Sequence, residues 1–408
     1  MQTYPILQLQ PKKERAVLLR HPWIFSGAVK KLPKAANGDI VEVRTAEGQT
    51  LAWGFFSPES QIVCRLFAFA AGMNATGKWA GYELNPAMQF DAAFWEGKIS
   101  RALALRRRLI DSATTDCYRL LHAEGDFMPG VIADVYGDTV VLQILIKGTE
   151  NLLPVLEQAL RKQGFRHVFL KGKSSTHHLE GLPQENRWLG QPRPALPIEV
   201  REHNVKFFVN PEKGQKTGFF IDQRENRQLL RNFSQGKRVL NTFAYTGGFS
   251  VYALAGGASE VVSVDISKEA VALSEENARL NFGEQAAHKA VAADCFDYLR
   301  QMNEDFDIIV LDPPAFAKNA RAVPNASRGY KDLNYLAFKK IKPQSLLFTF
   351  SCSQNIDKVL FQKIVFGAAA DAGREVRILQ HLEQPADHPV NIYHPEGEYL
   401  KGLLLWVE

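Results

Sequence analysis

From residue 238 onward the chain repeats one pattern, a short apolar run followed by a stretch of helical periodicity. The runs cover residues 238–241, 261–265, 288–293, 306–311, 345–350, 376–382 and 400–407, with helical segments between the first six. Strict alternation of strand and helix folds into a parallel, doubly wound sheet covered by helices on both faces. No helix separates the last two runs, so the final strand is predicted to enter antiparallel. In open α/β sheets ligands bind in the crevice beyond the carboxyl ends of the strands. The residues that end these runs are therefore where chemistry is to be sought.

The preceding chain has a different grain. A length of 408 residues exceeds one ordinary domain and suits two or three. In the first ~70 residues, Ile40-Val-Glu-Val-Arg44 alternates, and the runs 51–56 and 62–67 follow between Gly, Asn and Asp turns. Short strands so punctuated predict a small β-barrel. This segment holds nine Lys/Arg against five acids, so much of the net charge of +5 sits here. The overall pI of ≈ 8.8 stays below the range usual for a nucleic-acid footprint.

Residues 72–93 read as a linker or irregular insertion. A helix is expected over 95–111, with Trp95, Ile99, Ala102, Leu103, Leu109 and Ile110 on its apolar face. Arg101, Arg107 and Arg108 lie off that face, as a solvated surface or a phosphate-contacting ridge. Gly137-Asp138 between the runs 128–136 and 139–146 signals a hairpin. A helix over 152–162 and a strand at 168–170 follow, and four prolines in 183–197 mark a boundary. The expected division is a barrel at 1–72, a linker plus small central module at 73–195, and the large sheet domain at 196–408.

Runs of ~18 apolar residues are missing, which argues against a membrane span, and the start does not read as a secretory leader. Cysteines stand far apart at 64, 117, 295 and 352, without a zinc or disulfide spacing. The expectation is a chain of the reducing cytosol, with free thiols and no metal.

The first strand of the large domain runs into Asn241-Thr-Phe-Ala-Tyr-Thr-Gly-Gly248. Thr246, Gly247 and Gly248 let the backbone turn tightly and approach a ligand. Asp265 ends the second strand 18 residues past Gly247, the distance at which an acid grips a ribose diol. Ser267 then follows as a helix N-cap. The three-glycine spacing that seats a pyrophosphate is missing, which points to a nucleoside ligand without one. At the third strand's end, Asp294-Cys295-Phe296 offers an acid and an aromatic ring to an adenine. Singly, each is as readily a turn or a cap; their order on three successive strand ends is the signal.

On these residues the sequence resembles the class I S-adenosylmethionine-dependent methyltransferases. More closely, it is similar to the bacterial ribosomal RNA large subunit methyltransferase I family, which makes 5-methylcytosine in 23S ribosomal RNA. The likeness also runs through Arg20-His-Pro-Trp-Ile-Phe-Ser-Gly27, Gly125-Asp-Phe-Met-Pro-Gly-Val-Ile-Ala-Asp134 and Lys216-Thr-Gly-Phe-Phe-Ile-Asp-Gln-Arg224. It implies an α/β protein with an N-terminal PUA β-barrel, a small central α+β module and a C-terminal Rossmann-like class I methyltransferase with a mostly parallel seven-stranded sheet. It implies S-adenosyl-L-methionine as cofactor and single-stranded or opened 23S ribosomal RNA as partner, in the cytoplasm and away from membranes. Monomer and homodimer both stay open. By the same resemblance Gln223 and Arg224 lie near the cofactor. Asn241, Phe243 and Gly247 line its methionine part, Asp265 the ribose and Asp294 the adenine. Tyr245, Thr246, Ile266, Cys295, Phe296 and Asp312 complete the implied cofactor set.

The fourth strand runs into Asp312-Pro-Pro-Ala-Phe316 and the fifth into Ser351-Cys352-Ser353. Carbon 5 of cytosine is too weak a nucleophile to take a methyl group unaided. A thiolate that adds to carbon 6 makes carbon 5 enamine-like, and its later expulsion completes covalent catalysis. Cys352 is the candidate nucleophile, and Asp312 is placed to hydrogen-bond the ring-nitrogen edge. Pro313, Pro314, Phe316, Lys318 and Lys331 are candidates for the substrate side. A free thiol titrates near ~8.5, so a cationic neighbour raises the thiolate fraction; Lys318 and Lys331 are the candidates. Many RNA 5-methylcytosine enzymes carry a second cysteine after the motif's proline, where this chain has Ala315, so the resemblance supplies no releasing base. Tyr330-Lys-Asp-Leu-Asn334 either orders a target-side loop or starts a helix.

Two other readings stay open. Asp-Pro-Pro followed by an aromatic is also the signature of enzymes that methylate exocyclic amino groups of nucleic acids and need no thiol. A non-catalytic RNA-binding ribosome-assembly factor with a relict fold is the reading from another class.

Overall fold

The computed structural model describes residues 3–73, 79–81, 89–172, 180–183, 185–303 and 305–408. Most of the expected linker, residues 74–78 and 82–88, lies outside the described residues. The chain divides into two compact units. The first comprises residues 1–198, 210–218 and 386–397, and the second 199–209, 219–385 and 398–408. The segments 210–218 and 386–397, which the sequence reading places in the large domain, therefore cluster with the first unit.

In the first unit, six strands pair in the order Trp23–Phe25, Ile62–Phe69, Thr50–Phe56, Ile40–Arg44, Ile6–Leu9, Val29–Lys31. Alternation in Ile40–Arg44 buries Val41 and Val43 while their neighbours stay half-exposed, as period-two patterning requires. A second sheet runs Arg187–Leu189, His167–Leu170, Thr139–Ile144, Val131–Tyr136, Cys117–His122. The predicted hairpin pairs Val131–Tyr136 with Thr139–Ile144 in antiparallel register.

The helix Ala92–Leu109 starts at Asp91, whose carboxylate caps the amide of Phe94 at 3.0 Å. Trp95, Ile99, Ala102 and Leu103 are buried as expected, whereas Leu109 is exposed. Arg106 takes the buried place instead. Its guanidinium grips Asp126 at 2.5 and 2.6 Å and donates to the Arg119 carbonyl at 2.8 Å. A fork of five donors matched to a carboxylate is what lets an arginine enter a core.

The second unit carries the seven-stranded sheet. Its strands are β1 (Arg238–Thr242), β2 (Glu260–Asp265), β3 (His288–Ala292), β4 (Ile308–Leu311), β5 (Ser345–Ser351), β6 (Val376–Glu383) and β7 (Lys401–Val407). The order is β3-β2-β1-β4-β5-β7-β6. The first five are parallel, and β7 runs antiparallel to both β5 and β6. Helix α1 (Arg224–Phe233) leads into β1, and α2 (Gly248–Ala255), α3 (Lys268–Phe282), α4 (Cys295–Gln301), α5 (Val323–Lys340) and α6 (Lys358–Ala372) connect β1 to β6 in turn. Two apolar clusters cover opposite faces, one around Leu333, Phe338 and Ile364, the other around Leu230, Phe249 and Phe348. Every residue of β4 is buried, which is why its sequence is an unbroken apolar run. The strand order reverses between β1 and β4, and there the connections leave to opposite sides and open a crevice. Among the described residues no helix is long and apolar enough to cross a membrane.

Candidate active site

The turn after β1 departs from ordinary backbone at three residues. Phe243, Tyr245 and Gly247 have φ of +54°, +47° and +77°. A left-handed glycine is routine, but two aromatic residues there cost energy that the surroundings must offset, and such outliers gather at functional sites. Here the offsetting groups are explicit. The Phe243 amide donates to the Cys295 sulfur at 3.1 Å, and the Tyr245 amide to an Asp265 carboxylate oxygen at 2.9 Å. Asn277 on α3 donates to the Thr246 carbonyl at 2.9 Å. Behind the turn, Asn241 donates to Ser250, which shares a hydrogen bond with Ser263, and Ser263 meets His288 at 2.7 Å. That chain ties β1 and α2 through the middle of β2 to the start of β3. Burial pushes the His288 imidazole down to about 4, so it enters the chain neutral.

The second oxygen of Asp265 accepts from the Ser267 amide at 2.9 Å. Ile266 beside it is 74% exposed, an unusual state for a large aliphatic side chain in a strand-end loop. Asp294 is exposed, spends one oxygen on the Asp297 amide at 3.1 Å as the cap of α4, and leaves the other outward. Phe296 is half-buried, 6.3 Å from both the Phe243 and Phe316 rings. Cys295 is buried, and burial pushes its thiol up to about 12, so it supports the turn and is no acid–base group. Gln223 and Arg224 are buried just before and at the start of α1, where Gln223 accepts from Asn226 at 2.6 Å and Arg224 donates to Glu225 at 2.9 Å. Their segment reaches the turn through Phe220, whose ring meets Tyr245 edge-on at 5.1 Å.

These residues fit a nucleoside cofactor. The Thr246 hydroxyl is buried without a hydrogen-bond partner among the described residues. An exposed apolar Ile266 follows a carboxylate with unused lone pairs, and a second carboxylate waits one strand further. A diol, an apolar ring face and an exocyclic amine would complement them.

The other half of the crevice joins the ends of β4 and β5. Asp312 is half-buried, Pro313 buried, Pro314 exposed and Phe316 half-buried. The Ala317 amide donates to the Ser353 hydroxyl at 3.1 Å, and the Tyr330 hydroxyl shares a 2.9 Å hydrogen bond with the same oxygen. Phe316 packs on the Tyr330 ring at 4.6 Å. Tyr330 therefore sits inside α5 as a buried strut, which resolves its segment as helix interior. Cys352 is half-exposed, and its sulfur lies 3.8 Å from the Pro313 carbonyl. The thiol thus stands over the Asp-Pro-Pro segment and is not sealed in the core.

The two lysines expected to activate the thiol are placed otherwise. Lys331 forms an ion pair with Asp371 at 2.6 Å on the outside of α5 and α6, and Lys318 is exposed beyond the motif. Lys401, at the start of β7, was missed. It is buried, and its ammonium donates to the carbonyls of Ser353 and Ile356 at 2.7 and 2.6 Å. Nothing local in Tyr399-Leu-Lys-Gly-Leu marks it; only the β5–β7 pairing brings it to the thiol loop.

Comparison with known proteins agrees with this geometry. Residues 142–391 match the S-adenosylmethionine-dependent methyltransferase family, and residues 7–69 match a PUA-like domain. Proteins called ribosomal RNA large subunit methyltransferase I are similar over nearly the whole chain. That of Tolumonas auensis is 40% identical over 97% of this chain and 98% of its own. The chain belongs to the ribosomal RNA large subunit methyltransferase I family. Another member, from Escherichia coli, is 39% identical over 97% of this chain and 98% of its own. A Streptococcus mutans protein described as a SAM-dependent methyltransferase shares the fold at a TM-score of 0.81 and 23% identity, over 98% of this chain and 99% of that one. A protein described as a methyltransferase and crystallised with SAH superposes at a TM-score of 0.82 and 24% identity, over the same shares. S-adenosylmethionine is accordingly the family's cofactor. The turn after β1 and the acids ending β2 and preceding α4 are the groups of this chain suited to hold it.

Proposed function

We propose that this chain methylates carbon 5 of a cytosine in 23S ribosomal RNA, with Cys352 as covalent nucleophile and Asp312 as the group that holds the base. The observation that carries this reading is the half-exposed Cys352 sulfur, 3.8 Å from the Pro313 carbonyl of the Asp-Pro-Pro segment. Ribosomal RNA as substrate rests on the relatives' names. The PUA-like barrel, rich in Lys and Arg, supplies a surface for phosphates, which gives affinity without sequence information.

Bound S-adenosylmethionine supplies an electrophilic methyl group. The Cys352 thiolate adds to carbon 6, and its electron pair becomes the S–C6 bond while the ring's π electrons shift toward carbon 5. Asp312 hydrogen-bonds the ring-nitrogen edge and stabilises the adduct. Once carbon 5 carries the methyl group, loss of its proton restores the double bond and expels the thiolate. The base must leave its stack to enter the crevice, so loops or opened RNA are the natural targets. Gln223, Arg224, Asn241, Thr246, Asp265 and Asp294 orient the cofactor in this reading, while Pro314 and Phe316 face the base.

Nucleoside mass spectrometry of ribosomal RNA methylated by the purified chain tests it. The expected product is 5-methylcytidine, and Cys352→Ala abolishes it. Product on an exocyclic nitrogen, formed equally by Cys352→Ala, would instead identify an amino methyltransferase. Absence of binding heat with S-adenosylhomocysteine would favour a non-catalytic RNA-binding role.

A further inference from the structure

One buried charge is not accounted for by the chemistry above. Lys401 is 6% exposed and stands opposite Ser351 in the β5–β7 register. Two of its three ammonium hydrogens go to the carbonyls of Ser353 and Ile356, both in the loop that leaves β5 and directly follows Cys352. Among the described residues no carboxylate forms an ion pair with it. Asp357 caps α6 at the Leu360 amide, 2.7 Å away, and Glu398 is paired with Lys358. A buried cation held only by carbonyl dipoles is expensive unless an anion lies beside it. Burial works against this ammonium's charge, and a thiolate at Cys352 works for it.

We propose that Lys401 is a positioning residue for the nucleophile: it clamps the Cys352 loop through two carbonyls and stabilises the thiolate with its charge. This rests on the reading of Cys352 as nucleophile and deepens it. Ionisation of the thiol releases its proton to solvent and leaves a half-exposed thiolate on the loop that the buried ammonium holds.

The other charged or titratable groups around the loop do not replace it. From α5, Tyr330 approaches with a hydroxyl shared with Ser353, and burial raises its pKa, so it stays neutral. From the end of β4 comes Asp312, a carboxyl group, which brings no positive charge to the loop. Lys358 is taken up by Glu383 and Glu398 at the surface. Burial pushes the Lys401 ammonium down to about 8, while the Cys352 charge acts in the opposite direction. The ammonium is therefore charged below about 8, where the thiolate needs help. It loses its proton as pH rises through that value, where an ordinary thiol ionises unaided.

The test is the pH dependence of Cys352 alkylation by iodoacetamide in the full folded chain, read by peptide mass spectrometry. Cys64, Cys117 and Cys295 are buried and serve as internal controls. The wild-type thiol is expected to titrate below the ordinary value of ~8.5. Lys401→Gln moves the midpoint up by about one pH unit, so alkylation at neutral pH falls about tenfold; Lys401→Arg moves it much less. A folded Lys401→Gln chain with the wild-type midpoint would reduce Lys401 to a structural clamp and overturn the proposal. So would a wild-type midpoint at or above ~8.5, a result that needs no variant to fold. The reading of Cys352 as nucleophile fails separately, if Cys352→Ala still forms 5-methylcytidine while the thiol titrates as described.

Discussion

Replacing Asp265 with asparagine keeps the shape of the side chain and removes only its charge and one acceptor. In the structure each carboxylate oxygen accepts one backbone amide at 2.9 Å, Tyr245's on one side and Ser267's on the other. An asparagine satisfies one of these and turns its own NH2 toward the second, so one donor loses its partner. That loss costs about 1–3 kcal/mol, felt in a turn already carrying left-handed Phe243 and Tyr245. The remaining lone pairs are the ones a ribose diol would use, and a hydrogen bond to a charged group contributes about 1.5–3 kcal/mol. At about 1.4 kcal/mol per tenfold, loss of the ribose contact alone weakens cofactor binding about 10- to 100-fold. Titration calorimetry with S-adenosylhomocysteine on the full chain measures it, with a thermal melt to establish that the variant is folded. Binding by Asp265→Asn within about twofold of wild type, well under 1 kcal/mol, would refute the assignment of the ribose to the end of β2.

Two further outcomes concern the frame around the site. Glu202 and Arg227 are both buried and joined at 2.8 and 2.7 Å, with the guanidinium 4.7 Å from the Phe219 ring. Glu202→Gln strands that cation, and chemical denaturation should show a loss of about 3–5 kcal/mol; a loss below about 1 kcal/mol would mean that the pair behaves like a surface bridge. His288 is held neutral down to about 4, whereas an unfolded histidine binds its proton near 6.5. The unfolded state therefore takes up the proton first, and stability falls as pH drops from 6.5 toward about 4. His288→Gln should flatten that part of the stability–pH curve, and an unchanged slope would assign the dependence to other groups.

The strands of the large sheet were legible because β4 and its neighbours are buried on both faces and read as unbroken apolar runs. The antiparallel β7 was legible from the missing helix before it. The strand-end motifs also located the crevice, since β/α connections carry their loops to one edge of the sheet. What the sequence hid were relations set by pairing between distant strands. Lys331 is nearer to Cys352 along the chain than Lys401, yet it faces Asp371, whereas the β5–β7 register brings Lys401 to the thiol loop. Helical periodicity put Leu109 inside, but the buried fork between Arg106 and Asp126 takes the apolar face's last place. The left-handed turn at Phe243 and Tyr245 was equally silent, because residue type there argues against the conformation they adopt.

Covalent catalysis is tested most directly by RNA in which fluorine replaces the hydrogen on carbon 5 of the target cytosine. Fluorine cannot leave as the proton does, so the adduct accumulates once carbon 5 is methylated. Incubated with the full chain and S-adenosylmethionine, such RNA should yield a denaturation-resistant complex whose cross-linked peptide contains Cys352. Wild-type chain that methylates ordinary RNA yet forms no such complex, or a complex anchored at another residue, would contradict the central role given to Cys352.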